Sequence, residues 1–186
     1  MGGPPPLAIR EIAADLADRR AAVRVRAANT LGAIGPDSEP AVPALIEALD
    51  DDRPRVRCAV AWALAWIGVP TDAVVGNLAA LLDGDFDAEV RAVAARSLAA
   101  VGPRAWRAVP SLSAALRDRE PSVREEAATA MHLGAIPAVR AVPARTEALR
   151  DPESRVRGCA AAALGTAAPA EGWVVPPRGP PTLLLA

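Results

Sequence analysis

Lysine and tyrosine are absent from this 186-residue chain, phenylalanine and histidine occur once each, and there are two cysteines. Each scarcity removes a class of chemistry. A metal site needs three or four converging ligands, which the lone His132 does not begin to supply, so no metal or other cofactor is expected. Without lysine there is no phosphate-cradling Gly-rich loop of the usual kind, and neither a Gly-x-Ser-x-Gly elbow nor a Cys-x-x-Cys pair occurs. No apolar run approaches the roughly 18–20 residues that cross a bilayer, and Met1 to Pro6 has neither the charged nor the apolar region of a secretion signal. The cytoplasm is the expected compartment. The formal charge of -1 gives no field to attract nucleic acid or an anionic membrane, so neither is expected as a partner. All 21 basic residues are Arg, a bias expected of a G+C-rich bacterial genome.

What the chain has instead is repetition. Val-Arg recurs at Val23-Arg24, Val56-Arg57, Val90-Arg91, Val123-Arg124 and Val156-Arg157, at intervals of 33, 34, 33 and 33 residues. A fixed period of this length marks an array of units that bury their apolar faces only by stacking on one another. In each copy the residues at offsets 0, 4, 5 and 8 from the Val are apolar, and so is offset 11 except at Gly134 of the fourth, as in Val56, Val60, Ala61, Leu64 and Ile67, which is one face of a helix, B. Gly35, Gly68 and Gly102 close the first three copies where a left-handed cap is expected, while Ala135 and Ala168 stand there in the last two. A preceding helix, A, is expected to start near Pro43, Pro110 and Pro143, with Gly76 at that place in the third copy, because Pro is tolerated in a first turn.

Asp18, Asp51, Asp85, Asp118 and Asp151 each stand five residues before the Val. An acidic group at the A–B turn can accept the exposed N–H groups of helix B and can pair with Arg24, Arg57, Arg91, Arg124 and Arg157, forming a structural ladder along one edge. Cys58 and Cys159 fall in the second and fifth copies, beyond the span of a disulfide, and are expected to be free thiols in a reducing compartment.

This spacing and wording, Asp, then Val-Arg, then Ala pairs, Ala-Leu and Gly, resembles the HEAT-like repeats of the phycobilin (PBS) lyase type. The resemblance implies an all-α, right-handed α-solenoid of about five helix pairs, with repeats at about 7–35, 36–68, 69–102, 103–135 and 136–168, between a flexible N-terminus (1–6) and a Pro-rich disordered tail (169–186). Three departures stand out: Gly134 one place early, an extra residue near Gly84, and Arg145 where the fifth helix A calls for Leu. Two enzyme branches have similar repeats. Deoxyhypusine hydroxylases hold iron through repeated His-Glu pairs, whereas His132 is followed by Leu133 and has no second His. Phycobilin lyases match at scaffold positions only, so no catalytic residue carries over.

The resemblance also implies that helix B lines the concave surface, and at 100° per residue offsets 2, 6, 9 and 10 point outward there. Those positions are mostly small and apolar, apart from Trp62 and Trp66, one turn apart in the second copy. With Arg26 and Arg96 as charged shoulders, and Asn29, Glu125 and His132 further along, they make a candidate surface for a protein or peptide partner. The opposing possibility is that inter-repeat curvature buries both rings. A His132–Glu125 metal pair and a calcium loop over Asp83, Asp85 and Asp87 are weaker alternatives. Because Ala160 to Ala163 leaves a soft apolar end, end-to-end self-association through the C-terminal repeat is a further possible contact.

Overall fold

Five times along the chain a helix A turns back on a helix B, and each B lies beside the B of the next copy. The computed structural model describes residues 6–69, 71–133 and 138–164. The A helices are α1 (Pro6–Ala14), α3 (Val42–Glu47), α5 (Asp72–Gly84), α7 (Val109–Ala115) and α9 (Ala138–Ala148). The B helices are α2 (Ala21–Ile34), α4 (Pro54–Ile67), α6 (Ala88–Val101), α8 (Pro121–Leu133) and α10 (Ser154–Ala163). Stacking runs α2 on α4, α4 on α6, α6 on α8 and α8 on α10, with each A packed on its own B, which is an α-solenoid. Among the described residues there is no strand, and no helix is long and apolar enough to cross a membrane. The N-terminal residues 1–5 and the tail 169–186, expected to be flexible and disordered, lie outside the described residues, whereas Pro6 opens α1.

The periodic apolar positions make the core. Val56, Val60, Ala61, Leu64 and Ile67 of α4 are fully buried, as are Val90, Ala94, Ala95 and Leu98 of α6 and Val123, Ala127, Ala128 and Met131 of α8. Burial also extends to Ala59, Ala63, Ala65, Ala92, Val93, Ser97 and Ala130, beyond the expected face. An inner helix B has three packed sides, its own A and two neighbouring Bs, so small residues are needed where Bs touch. Gly32 shows how close they come: a Cβ there lies 3.0 Å from the Ala63 Cα. Gly32 and Ala65 at offset 9, and Ala92 at offset 2, therefore lie in packed contacts, and the expectation that these positions face a groove is corrected.

Helix boundaries follow local chemistry. Pro43 and Pro110 sit in the first turns of α3 and α7, each preceded by a 3-10 segment, Gly35–Ala41 and Gly102–Ala108. The third helix A starts at Asp72, ahead of Gly76, because the Thr71 hydroxyl accepts the Val74 N–H at 3.2 Å. In the fifth, α9 begins at Ala138 and carries Pro143 inside it, so that proline does not mark a start. Gly35, Gly68 and Gly102 all have φ near +70° to +75°, but only Gly68 is left-handed helical; the ψ values of -138° and -145° at Gly35 and Gly102 belong to a region almost reserved for glycine. The buried Arg145 takes over the closing role at the other end, donating Nη2 to the Met131 carbonyl of α8 (2.6 Å) and Nη1 to the Ala163 carbonyl of α10 (3.2 Å).

The strongest inter-repeat connection is polar. Arg24 donates Nε and Nη2 to the two carboxylate oxygens of Asp51 (2.6 and 2.8 Å), Arg57 to those of Asp85 (2.7 and 2.8 Å), Arg91 to Asp118 (2.8 and 3.0 Å) and Arg124 to Asp151 (2.7 and 3.1 Å). Each Arg also donates Nη1 to the main-chain carbonyl of the Asp in its own copy, from Asp18 to Asp118, at 2.8–3.0 Å. The side-chain pairing thus runs from one copy to the next, and an Arg reaches the Asp of its own copy only through the backbone. Each Asp in turn accepts the N–H of the residue two places on, just before helix B, at 2.8–2.9 Å.

These partners set the acid–base behaviour. Burial works to raise the Asp51, Asp118 and Asp151 carboxyls, but the Arg fork, the backbone N–H and the nearby positive charge together hold all three below the ordinary 3.8. A carboxyl depressed on folding contributes stability that is full above its unfolded value and is lost as pH falls through the folded one. The thermal midpoint is therefore expected to be flat down to about pH 4 and to fall below it, and Arg124→Ala, which removes the main cause lowering Asp151, is expected to lower the midpoint at neutral pH and to shrink the acid-dependent loss; scanning calorimetry across this range is the check. Arg57→Ala, which strands the buried Asp85 carboxylate, is expected to cost about 3–5 kcal/mol in denaturant melts. Arg57→Lys, which keeps charge without the planar fork, is expected to cost less, about 1–3 kcal/mol.

Candidate partner-binding surface

Successive B helices present one diagonal relation. The residue six after the Val in one copy meets the residue three after the Val in the next: Arg96 of α6 pairs with Glu126 of α8, and the Thr129 hydroxyl of α8 donates to the Cys159 sulfur of α10 at 3.4 Å. Trp62 of α4 holds the first of these two positions one copy before Arg96. Its indole is half-buried against the core, and the Arg96 guanidinium lies over it, 5.7 Å from the ring centroid. A stack of ring, cation and carboxylate thus crosses three repeats, Trp62 to Arg96 to Glu126, with Arg96 still 47% exposed.

The other candidate residues divide around this stack. Trp66 is half-buried too, and its Nε1 is buried with no acceptor among the described residues, so the two indoles do not form the open aromatic patch considered from sequence. Arg26 is exposed on α2 three places after Val23, the register that in α8 and α10 meets the preceding B; it therefore faces away from α4 and does not flank the tryptophans. Asn29 is half-buried on α2. Glu125 lies 3.7 Å from Arg155 of α10 and is not paired with His132, which is exposed. Among the described residues no group of His, Cys, Asp and Glu could hold a metal ion. The acidic turn is committed elsewhere: Asp83 accepts the Ser111 hydroxyl (2.7 Å), Asp85 takes Arg57, and Asp87 accepts the Glu89 N–H (2.8 Å) at the start of α6.

Glu126 is the member of the stack that sequence reading left out. The signal was opposite charge at a separation of 30 residues, which also describes Arg117 and Glu147 on the A side. Exposed apolar side chains lie elsewhere: Phe86 is 97% exposed in the α5–α6 turn, and Trp106 stands before α7 with the Arg107 guanidinium 5.3 Å from its ring centroid.

The sequence model of the family described as HEAT repeats matches residues 9–75 and 75–165. In three dimensions the chain is similar to an engineered protein at 26% identity and a TM-score of 0.68, covering 86% of this chain and 78% of that one. It is similar to the complex of CpcE and CpcF of phycocyanin lyase from Nostoc sp. PCC7120 at 25% identity and a TM-score of 0.67, covering 85% of this chain and 98% of that one. For YibA of Escherichia coli the values are 26% and 0.62, with 84% of this chain and 57% of that one covered. No curated protein matches in sequence.

The thiols on the B helices are held in the neutral form. Burial first, then the charges of Glu89, Asp87 and Asp85, push the Cys58 thiol up to about 12, and burial raises Cys159 as well. Alkylation of the folded chain by iodoacetamide near pH 8 is expected to be on the order of a hundredfold slower than in denaturant, read by mass spectrometry.

Proposed function

The chain therefore belongs to the HEAT-repeat family, and from that premise we propose that it is a non-enzymatic scaffold binding a peptide or protein along its helix-B surface. The single observation carrying this reading is the Trp62–Arg96–Glu126 stack. A half-buried indole under a half-exposed guanidinium offers apolar area and a directed charge at little conformational cost, the composition of interface hot spots. The carboxylate of Glu126 fixes the guanidinium over the ring before any partner arrives. A partner supplying an apolar side chain to the indole edge and a carboxylate or carbonyl to Arg96 suits this surface. The solved complex of CpcE and CpcF supports a protein partner, since there a chain similar to this one is part of a two-protein complex. We place the chain in the cytoplasm, a reading supported by two thiols held unpaired on α4 and α10.

A second reading, a phycobilin lyase or its accessory, is favoured by the likeness to that same phycocyanin lyase complex over 85% of the chain. Its test is bilin transfer to an acceptor cysteine; no chromophore attachment removes it.

Affinity capture from the native cytosol followed by titration of the captured partner tests the scaffold reading. Trp62→Ala and Arg96→Ala are each expected to weaken binding about tenfold or more, with Arg26→Ala unchanged as the off-site control. Arg96→Ala is expected to leave the unfolding free energy within about 1 kcal/mol of wild type, since its ion pair is partly exposed. A partner that binds all three variants like wild type ends the proposal.

A further inference from the structure

The Arg–Asp rule joins neighbouring copies four times and leaves two unmatched groups, one at each end. At the C-terminal end, Arg157 donates Nη1 to the Asp151 and Pro152 carbonyls at 2.9 and 2.8 Å, as the inner arginines do within their own copies. Its Nε and Nη2 edge, the part that grips the next Asp in every inner rung, has no carboxylate among the described residues. At the N-terminal end, among the described residues no Arg of another copy reaches Asp18, and Arg20 folds back into that slot, donating Nε and Nη2 at 3.0 Å each from a side chain that is 75% exposed.

Apolar burial shows the same pair of openings. The Val that begins each B motif is fully buried at Val56, Val90, Val123 and Val156 but half-exposed at Val23. The corresponding apolar position of helix A is at most 8% exposed at Ile9, Val42, Val75 and Val109 but 41% exposed at Val142. What is open at one end is closed everywhere else by the feature that is open at the other.

We propose that two copies of this chain stack head to tail, the Arg157 fork of one taking the Asp18 carboxylate of the next and displacing Arg20. The contact repeats the inner rung, guanidinium to carboxylate through two parallel hydrogen bonds, and covers Val23 of one copy with the last repeat of the other. It is heterologous, so a third copy can add in the same sense. The surface is distinct from the Trp62 stack, and its outcome is independent of the scaffold reading.

Sedimentation velocity on the full chain over a concentration series is the test. Wild type is expected to show a mass that rises with concentration past the dimer, and Arg157→Ala or Asp18→Ala to weaken association about tenfold or more with thermal midpoints showing both variants folded. An equimolar mixture of the two variants is expected to stop at the dimer, because each retains one working end. Association of the double variant Asp18→Arg, Arg157→Asp, in which the charges are exchanged, is expected to return. A wild type that stays monomeric throughout overturns the proposal, as does association indifferent to both alanine variants. A third overturning result is a monomer whose thermal midpoint falls equally in Arg157→Ala and Glu171→Gln, since Glu171 is the sole acidic side chain in residues 165–186 and would then be the partner.

Discussion

The bidentate grip of one copy's arginine on the next copy's aspartate is the constraint on which the array depends. Apolar stacking alone is tolerant of sliding and rotation, because alanine-rich helices offer many nearly equivalent packings. A planar fork on a carboxylate has one geometry. With Nη1 fixed on a carbonyl of its own turn and Nε and Nη2 fixed on the neighbour, each arginine measures the distance and angle between two turns, and four such gauges in series set the pitch of the solenoid. The aspartate is held just as firmly, by the fork on one side and by the N–H two residues on along its own turn.

That architecture was legible because it is written five times. Asp18 to Asp151, the Val-Arg pairs and the closing glycines gave the unit, its length and its two helices before any coordinates. The direction of pairing was not legible: the Asp five places before the Val and the Asp of the following copy are both within reach of a long side chain, and only the stacked backbone shows which one the fork meets. Helix starts were legible where proline stands in a first turn, at Pro43 and Pro110. They misled at Pro143, inside α9, and at Gly76, where a threonine cap five residues earlier does the work.

The candidate surface was harder to read for a geometric reason. A helical wheel divides residues into packed and outward, but an inner B helix is packed on three sides, so Ala65, Ala92 and Gly32 lie in contacts and Trp62 and Trp66 are half-covered. Trp62 and Arg96 were legible as odd residues among alanines. Glu126, which holds Arg96 in place, becomes visible only when charges are compared across about one repeat length, and Arg26 was assigned to the wrong side of α2.

Arg145 gives the last two repeats a property the others lack. In the first three copies each B helix ends on its own glycine, so each terminus is specified locally and can loosen by itself. One guanidinium instead ties the final carbonyls of α8 and α10, and burial makes that charge too costly to leave unbonded. Unzipping of α10 therefore takes the Ala163 carbonyl away from the same guanidinium of α9 that caps α8. Linear arrays ordinarily fray from their extremities one unit at a time; here the terminal two units share one buried side chain, so loosening one weakens a bond made to the other.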